Sequence, residues 1–156
     1  MKVVFICVGA VKKGCIKKGF SGYLKRIRRY LPVEVIDVRE ENSSIKMPVE
    51  VILRREAERI ARKTAAGDFT VALSERGRSF SSGEFSQFVE RIVSGGKKRL
   101  CFIAGGAFGL HPSVIDGADA VLSLSPMTLP HDLARLVLAE QVYRAFTIMR
   151  GEPYSH

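Results

Sequence analysis

At 156 residues the chain has the length of one domain, residues 1–156, with room for a substantial core. Its 46% apolar and 26% charged residues suit a globular protein, and no uncharged apolar run approaches the roughly 18 residues of a membrane span. Three cysteines and three histidines form no cluster, which argues against a disulfide framework or a metal centre, and the net charge of +9 points to a polyanionic partner.

In chain order, Lys2–Val8 is β-branched and poorly alternating, as in a strand buried on both faces, and Gly9 ends it. With no basic region ahead of it and Lys12 and Lys13 directly behind, this start does not read as a signal peptide, and the cytoplasm is the expected location. Phe20, Tyr23, Leu24, Ile27, Tyr30 and Leu31 recur at helical spacing, predicting a helix over 20–31 stopped by Pro32. Val33–Val38 is a second strand. After a polar stretch over 39–47, Pro48 opens a helix to about Ala66, with Val51, Ile52, Ile60 and Ala61 facing the core and Gly67 as its stop. Phe69–Leu73 is a third strand, and Ser74-Glu75-Arg76-Gly77-Arg78 reads as a loop. Ser81 or Ser82 caps a helix carrying Phe85, Phe88, Val89, Ile92 and Val93, which Gly95-Gly96 ends. A fourth strand, Arg99–Ala104, a glycine-rich turn and a short helix near Pro112–Asp116 follow. Strands alternating with helices predict an α/β domain with a largely parallel sheet covered on both faces.

The stretch from Asp119 to Arg150 organises the rest. A strand, Ala120–Leu124, leads through the loop Ser125–Pro130 into a long helix from His131. Pro126 and Pro130 exclude regular structure between them, and Thr128 is a candidate cap. Residues 133–149 hold only five polar positions, Arg135, Glu140, Gln141, Arg144 and Thr147. A helix apolar nearly all round must bury more than one face, which predicts the core on one side and a second subunit on the other.

The charge is uneven. Residues 1–33 contain Lys2, Lys12, Lys13, Lys17, Lys18, Lys25, Arg26, Arg28 and Arg29 and no acid, and these nine cations equal the excess of the whole chain. A local basic face of this kind is the footprint expected of phosphate-backbone binding; a solvated face is the alternative.

Ligands of open parallel sheets bind beyond the carboxyl ends of the strands. Three such ends carry unusual loops here: Leu73-Ser74, Gly105-Gly106 and Leu124–Pro130. Paired glycines allow close backbone approach to a ligand, although a plain tight turn uses them equally well. The first strand is followed by Gly9-Ala10-Val11-Lys12-Lys13-Gly14 instead of a dinucleotide fingerprint, and no P-loop occurs. His131, at a helix start, is placed where the dipole favours a neutral imidazole. Arg144 needs a partner on its apolar helix, and Glu140 lies one turn earlier.

The motifs Leu73-x-x-x-Gly77-Arg78, Ile103-Ala104-Gly105-Gly106-x-x-Gly109-Leu110, Leu124-Ser125-x-x-Thr128-Leu129-Pro130-His131, Ala139-Glu140-Gln141-Val142-Tyr143-Arg144-Ala145 and Pro153-Tyr154, with Val8-Gly9 and Gly19-Phe20 before Tyr23-Leu24 at the opening, together span the whole chain. The set resembles the bacterial large-subunit rRNA pseudouridine N3-methyltransferases of the SPOUT superfamily. The resemblance implies a knotted (trefoil) α/β domain acting as a cytoplasmic homodimer with S-adenosylmethionine (SAM). The substrate it implies is N3 of a pseudouridine in 23S rRNA of the ribosome. It implies a cofactor site of Leu73, Gly105, Gly106, Leu124, Ser125, Pro126, Met127, Thr128 and Leu129, and catalytic or RNA-contacting roles for His131, Arg144 and Tyr154. Lys25, Arg26, Arg28 and Arg29 are the expected RNA-binding cations. The family tail reads Pro-Tyr-His and a basic residue, whereas this chain ends Pro153-Tyr154-Ser155-His156, so His156 takes no role from the resemblance. A noncatalytic ribosome-binding module and a tRNA methyltransferase of the same fold are the alternatives.

Overall fold

The computed structural model describes residues 1–12, 14–41 and 47–154. Lys13, residues 42–46, Ser155 and His156 lie outside the described residues, and with them part of the expected basic segment, most of the polar stretch and the altered tail. The elements in order are β1 (Lys2–Val8), α1 (Gly14–Ile27), β2 (Val33–Val38), α2 (Val49–Ala61), β3 (Asp68–Ser79), α3 (Ser82–Ser94), β4 (Arg99–Ala104), α4 (Pro112–Asp116), β5 (Ala120–Ser123) and α5 (His131–Met149).

All ladders of the sheet are parallel, in the order β2-β1-β4-β3-β5. Side chains alternate between its faces. Val3, Phe5 and Cys7 join a core with α1, α3 and α5, while Val4, Ile6 and Val8 join a second core with Ile60 of α2 and the half-buried Val114 and Ile115 of α4. Burial on both faces is why β1 lacks an apolar–polar alternation. Cys7 and Cys101 are packed within these cores, and burial pushes the Cys7 thiol up to about 11 and that of Cys101 up to about 12.

Three elements differ from the sequence reading by more than one residue, and β5 ends at Ser123, one residue before the expected Leu124. Helix α1 starts at Gly14, six residues early, and ends at Ile27. Its amino-terminal half carries no apolar period, and only Phe20, Leu24 and Ile27 are buried. Helix α2 stops at Ala61, which is exposed, and its inner face is Ile52, Glu56, Ala57 and Ile60. The third difference matters most for function. Ser74–Arg78 is not a free loop but part of β3, which runs on to Ser79. Leu73 and Arg78 both lie opposite Leu122, so four residues bulge out of the ladder before it resumes. Gly77 is the hinge of this detour: a Cβ there would sit 2.7 Å from the carbonyl carbons of Val121 and Leu122. No larger residue allows the return so close to β5.

Helix α5 packs between α1 and α3, and none of its residues is fully exposed. Much of the apolar surface expected to need a second subunit is therefore covered within the chain. Gly19 permits the approach of α1, with Leu136 Cδ1 3.1 Å from where a Cβ would stand. Ser81 caps α3 in a full capping box with Glu84. At α5, Pro130 is the cap and no side chain caps the helix, so Thr128 does not play that part.

Candidate active site

The carboxyl ends of β3, β4 and β5 open on one cavity of about 950 Å³. Of the nine residues expected to hold a cofactor, eight line it: Leu73, Gly105, Gly106, Leu124, Ser125, Met127, Thr128 and Leu129. Pro126 does not. The bulge of β3 contributes Ser74, Glu75 and Arg76, so the segment first read as a loop does face the site although it belongs to a strand. Leu122, Ile115 and Phe108 add apolar wall.

The glycine segment is both a tight turn and a wall of the cavity. Gly106 and Gly109 form an antiparallel bridge, the Gly109 N–H donating to the Gly106 carbonyl at 3.1 Å. A Cβ on Gly105 would lie 2.3 Å from the Gly109 carbonyl oxygen, a distance that requires glycine. Gly106 is less constrained: its Cβ would stand 3.2 Å from the side chain of the buried Val8, not from backbone. In the opposite wall, Ser123 Oγ donates to the Ser125 carbonyl at 3.0 Å and Ser125 Oγ accepts the Met127 N–H at 2.9 Å. Met127 and Phe108, 76% and 48% exposed, flank the mouth.

His131 stands at the rim as the first residue of α5, its Nε2 3.5 Å from Asp132 Oδ1. The sequence reading missed what lies beneath. Asp132 is buried and accepts the Lys12 backbone N–H at 3.4 Å, and Arg135, with no exposure at all, reaches the carbonyls of Val8, Gly9 and Gly105. Its only sequence signal was a cation on an apolar helix, as Arg144 is too, with Asp132 one turn earlier.

Arg144 and Tyr154 come together, but elsewhere. Arg144 Nη2 and Nε donate to Glu140 Oε1 at 2.7 and 2.9 Å, the helix ion pair expected as the plain alternative. The guanidinium also lies over the Tyr154 ring, 4.8 Å from its centroid, and donates to the Tyr154 carbonyl at 3.3 Å. Tyr154 and Tyr23 share a hydrogen bond of 3.2 Å between hydroxyls, and Tyr30 donates to Glu152 at 2.5 Å, so the tail is fastened to α1. Burial first, then the Tyr23 hydrogen bond, pushes the Tyr154 phenol up to about 12, so it is neutral near pH 7 and no proton acceptor. Neither Arg144 nor Tyr154 lines the cavity. Thirteen residues of α5 separate His131 from Arg144, about 20 Å at 1.5 Å per residue.

Lys25, Arg26, Arg28 and Arg29 are exposed around the carboxyl end of α1 and make no ion pair among the described residues. Arg26 lies over Tyr23 and Tyr143, 5.3 and 5.6 Å from the ring centroids, which joins this basic face to the Arg144–Tyr154 cluster. Lys2 and Lys12, by contrast, are paired with Glu34 and Glu40. A second cavity of about 380 Å³ between α2 and α4 gathers none of these groups, and its Arg54 is paired with Glu50. Among the described residues no group of His, Cys, Asp and Glu could hold a metal, and no helix is long and apolar enough to cross a membrane.

The family described as "Predicted SPOUT methyltransferase" matches residues 1–156. A protein of Syntrophotalea carbinolica named "Ribosomal RNA large subunit methyltransferase H" is 46% identical over 99% of this chain and 98% of its own length. Proteins of the same name from Streptococcus uberis and Carboxydothermus hydrogenoformans are each 41% identical over 99% of both chains. A solved structure, "The structure of a probable methylase family protein from Haemophilus influenzae Rd KW20", superposes with a TM-score of 0.54 at 11% identity over 99% of this chain and 70% of its own, a likeness of fold. With its strand-end cavity, its glycine hairpin and a family match along its whole length, this chain belongs to the SPOUT methyltransferase family.

Proposed function

We propose that this protein methylates N3 of a pseudouridine in the 23S rRNA of the large ribosomal subunit, using SAM, as a cytoplasmic homodimer. The observation that carries the proposal is the cavity at the ends of β3, β4 and β5, in a chain similar end to end to proteins named for large-subunit rRNA methylation.

The residues present fit such a cofactor. The cavity is of the size that takes a nucleoside with an amino-acid side arm. Its leucine walls suit an adenine, its loops offer backbone N–H and C=O groups, and Glu50, Glu75 and Arg76 add charged groups to the lining. Gly105 keeps its wall free of a Cβ. SAM, when bound, supplies an activated methyl group for in-line displacement. What remains for the protein is alignment of the base and management of one proton.

An imide N3–H is acidic enough for a nearby cation to stabilise the anion it leaves. Arg144 suits that role: the Glu140 hydrogen bond, ahead of any other influence, raises its pKa, so it is a permanent cation held in one orientation. His131, the imidazole at the cavity mouth, or solvent takes the proton. Tyr154, as a neutral phenol, orients the base and accepts no proton. The exposed cations of α1 hold phosphates.

The span of about 20 Å between His131 and Arg144 supports a two-subunit site, in which the cavity of one protomer meets the Arg144–Tyr154 cluster of its partner. Mixing two inactive variants, one truncated after Gly151 and one Gly105→Val, should restore activity, because half the sites in mixed dimers combine an intact cavity with an intact tail. Mixed dimers with baseline activity would overturn the shared site.

The function itself is tested with isotopically labelled SAM and ribosomes lacking the modification. Label should map to one pseudouridine of 23S rRNA. Label in bare tRNA would point to a tRNA enzyme, and SAM binding absent from calorimetry would point to a noncatalytic module.

A further inference from the structure

Arg135 is the largest fully buried side chain among the described residues. A guanidinium stays charged at any pH the fold survives, so its burial is costly unless its N–H groups find partners. Nη1 donates to the Gly9 carbonyl at 2.8 Å and faces Asp132 Oδ1 at 3.5 Å. Nη2 donates to the Val8 carbonyl and lies 3.4 Å from that of Gly105. Nε has no partner among the described residues.

The three carbonyls have a common origin. Val8 ends β1, Gly9 follows it with φ of +76°, and Gly105 follows the last residue of the neighbouring β4. They lie where parallel ladders stop and backbone acceptors lose their partners. Gly105 is also a wall of the cavity, packed against Gly109. On its other side Arg135 meets Asp132, whose carboxylate faces His131 Nε2 at 3.5 Å. One buried cation therefore connects the glycine wall to the rim imidazole. An apolar side chain would fill a buried helix position at lower cost, so stability alone does not account for an arginine.

We propose that Arg135 is a positioning residue of the methyl-donor site, fixing the Gly105 carbonyl against the start of α5 and so setting the fit of the donor between them. The inference rests on the cavity being the SAM site. Arg135→Lys keeps a charge near Asp132 but cannot span three carbonyls. The variant should bind SAM about tenfold or more weakly by calorimetry, a displaced wall being felt at the ligand. In the ligand-free protein the amide NMR signals of Gly105, Gly106 and Gly109 should shift or broaden. Val89→Ala, a buried truncation in α3 away from the cavity, provides the comparison: it should lower the thermal midpoint while leaving affinity and glycine signals unchanged. Should Arg135→Lys fail to fold, Asp132→Asn loosens the same pair from the other side and should move the same glycine signals. The proposal is overturned if the folded variant binds SAM as wild type does with unmoved signals, or if Val89→Ala weakens binding equally. Wild-type protein that does not bind SAM would instead overturn the reading of the cavity, while the glycine signals still report on Arg135.

Discussion

The two ends of α5 are built on opposite chemical plans. At its amino end the cavity is walled mainly by glycine, leucine and loop backbone, with Glu50, Glu75, Arg76 and the His131 imidazole among its lining. At its carboxyl end Arg144, Glu140, Tyr23, Tyr154 and Arg26 interlock through charge-assisted bonds and ring contacts. A site of backbone and small residues recognises by shape, and one extra carbon spoils it. A site of charged and aromatic groups recognises polyanions and bases, and it weakens by degrees. Under the proposed function, cofactor and nucleic acid fall to different ends of one helix.

The largest effect should come from shape. Gly105→Val has no room beside the Gly109 carbonyl and should weaken SAM binding by about a hundredfold or more, with overpacking costing about 1–3 kcal/mol of stability. Gly106→Ala, which meets the side chains of Val8 and Glu40 and no backbone, should be milder. Equal SAM affinity in wild type and Gly105→Val would remove the hairpin from the site.

Arg144→Ala should come next, lowering kcat by about 10²-fold with SAM affinity nearly unchanged, because only the reacting base would feel its charge. A parallel loss of SAM affinity would erase the division between the two ends. Neutralising Lys25, Arg26, Arg28 and Arg29 together should act more gently. Ribosome binding should weaken, and its logarithmic salt slope should flatten by about one for each phosphate contact removed. A salt slope identical to wild type would leave these cations as a solvated face.

The smallest effect belongs to a pair remote from both ends. Asp68 and Arg99 join the amino ends of β3 and β4 through bonds of 2.8 and 2.5 Å, and the guanidinium holds the Asp68 carboxyl below its ordinary range. In the unfolded chain such a carboxyl takes its proton near pH 3.9, before the folded protein does. The pair's contribution is therefore complete above that value and lost as pH falls through the folded-state pKa. Asp68→Asn should cost about 1–3 kcal/mol at pH 7 and flatten the acid limb of the stability profile, leaving SAM and ribosome binding untouched. An unchanged acid limb would mean that other carboxylates set it.

What could be read from the sequence was whatever a short window encodes. Strands β1, β2 and β4 and the short α4 were recovered with their boundaries, and the cap of α3 was narrowed to Ser81 or Ser82, because β-branched runs and capping residues act locally. The glycine hairpin and the Leu124–Leu129 loop could be recognised as strand-end loops, and they do line one cavity. The extension of β3 through Ser74–Arg78 could not: its residues are polar, and it pairs only because Gly77 fits against a strand more than forty positions later. Arg135 was equally hidden, since its partners are backbone carbonyls, which carry no signature in the side-chain alphabet. The separation of His131 and Arg144 was legible, because the long helix from His131 was read from the sequence and its rise fixes their distance; what no window shows is what Arg144 meets there.

The ladder pattern also bears on how the chain acquires its shape. No hairpin joins neighbouring strands; Val3 pairs with Val33, and Phe5 with Phe102 on its other side. The first strand made on the translating ribosome therefore lacks one of its two neighbours until about a hundred residues have been synthesised. Local contacts cannot nucleate such a sheet, and the entropy of closing long loops must be met before any ladder forms, which places this protein among slow folders. Its β-branched first strand, apolar on both faces, is the segment most exposed to misassociation during that wait.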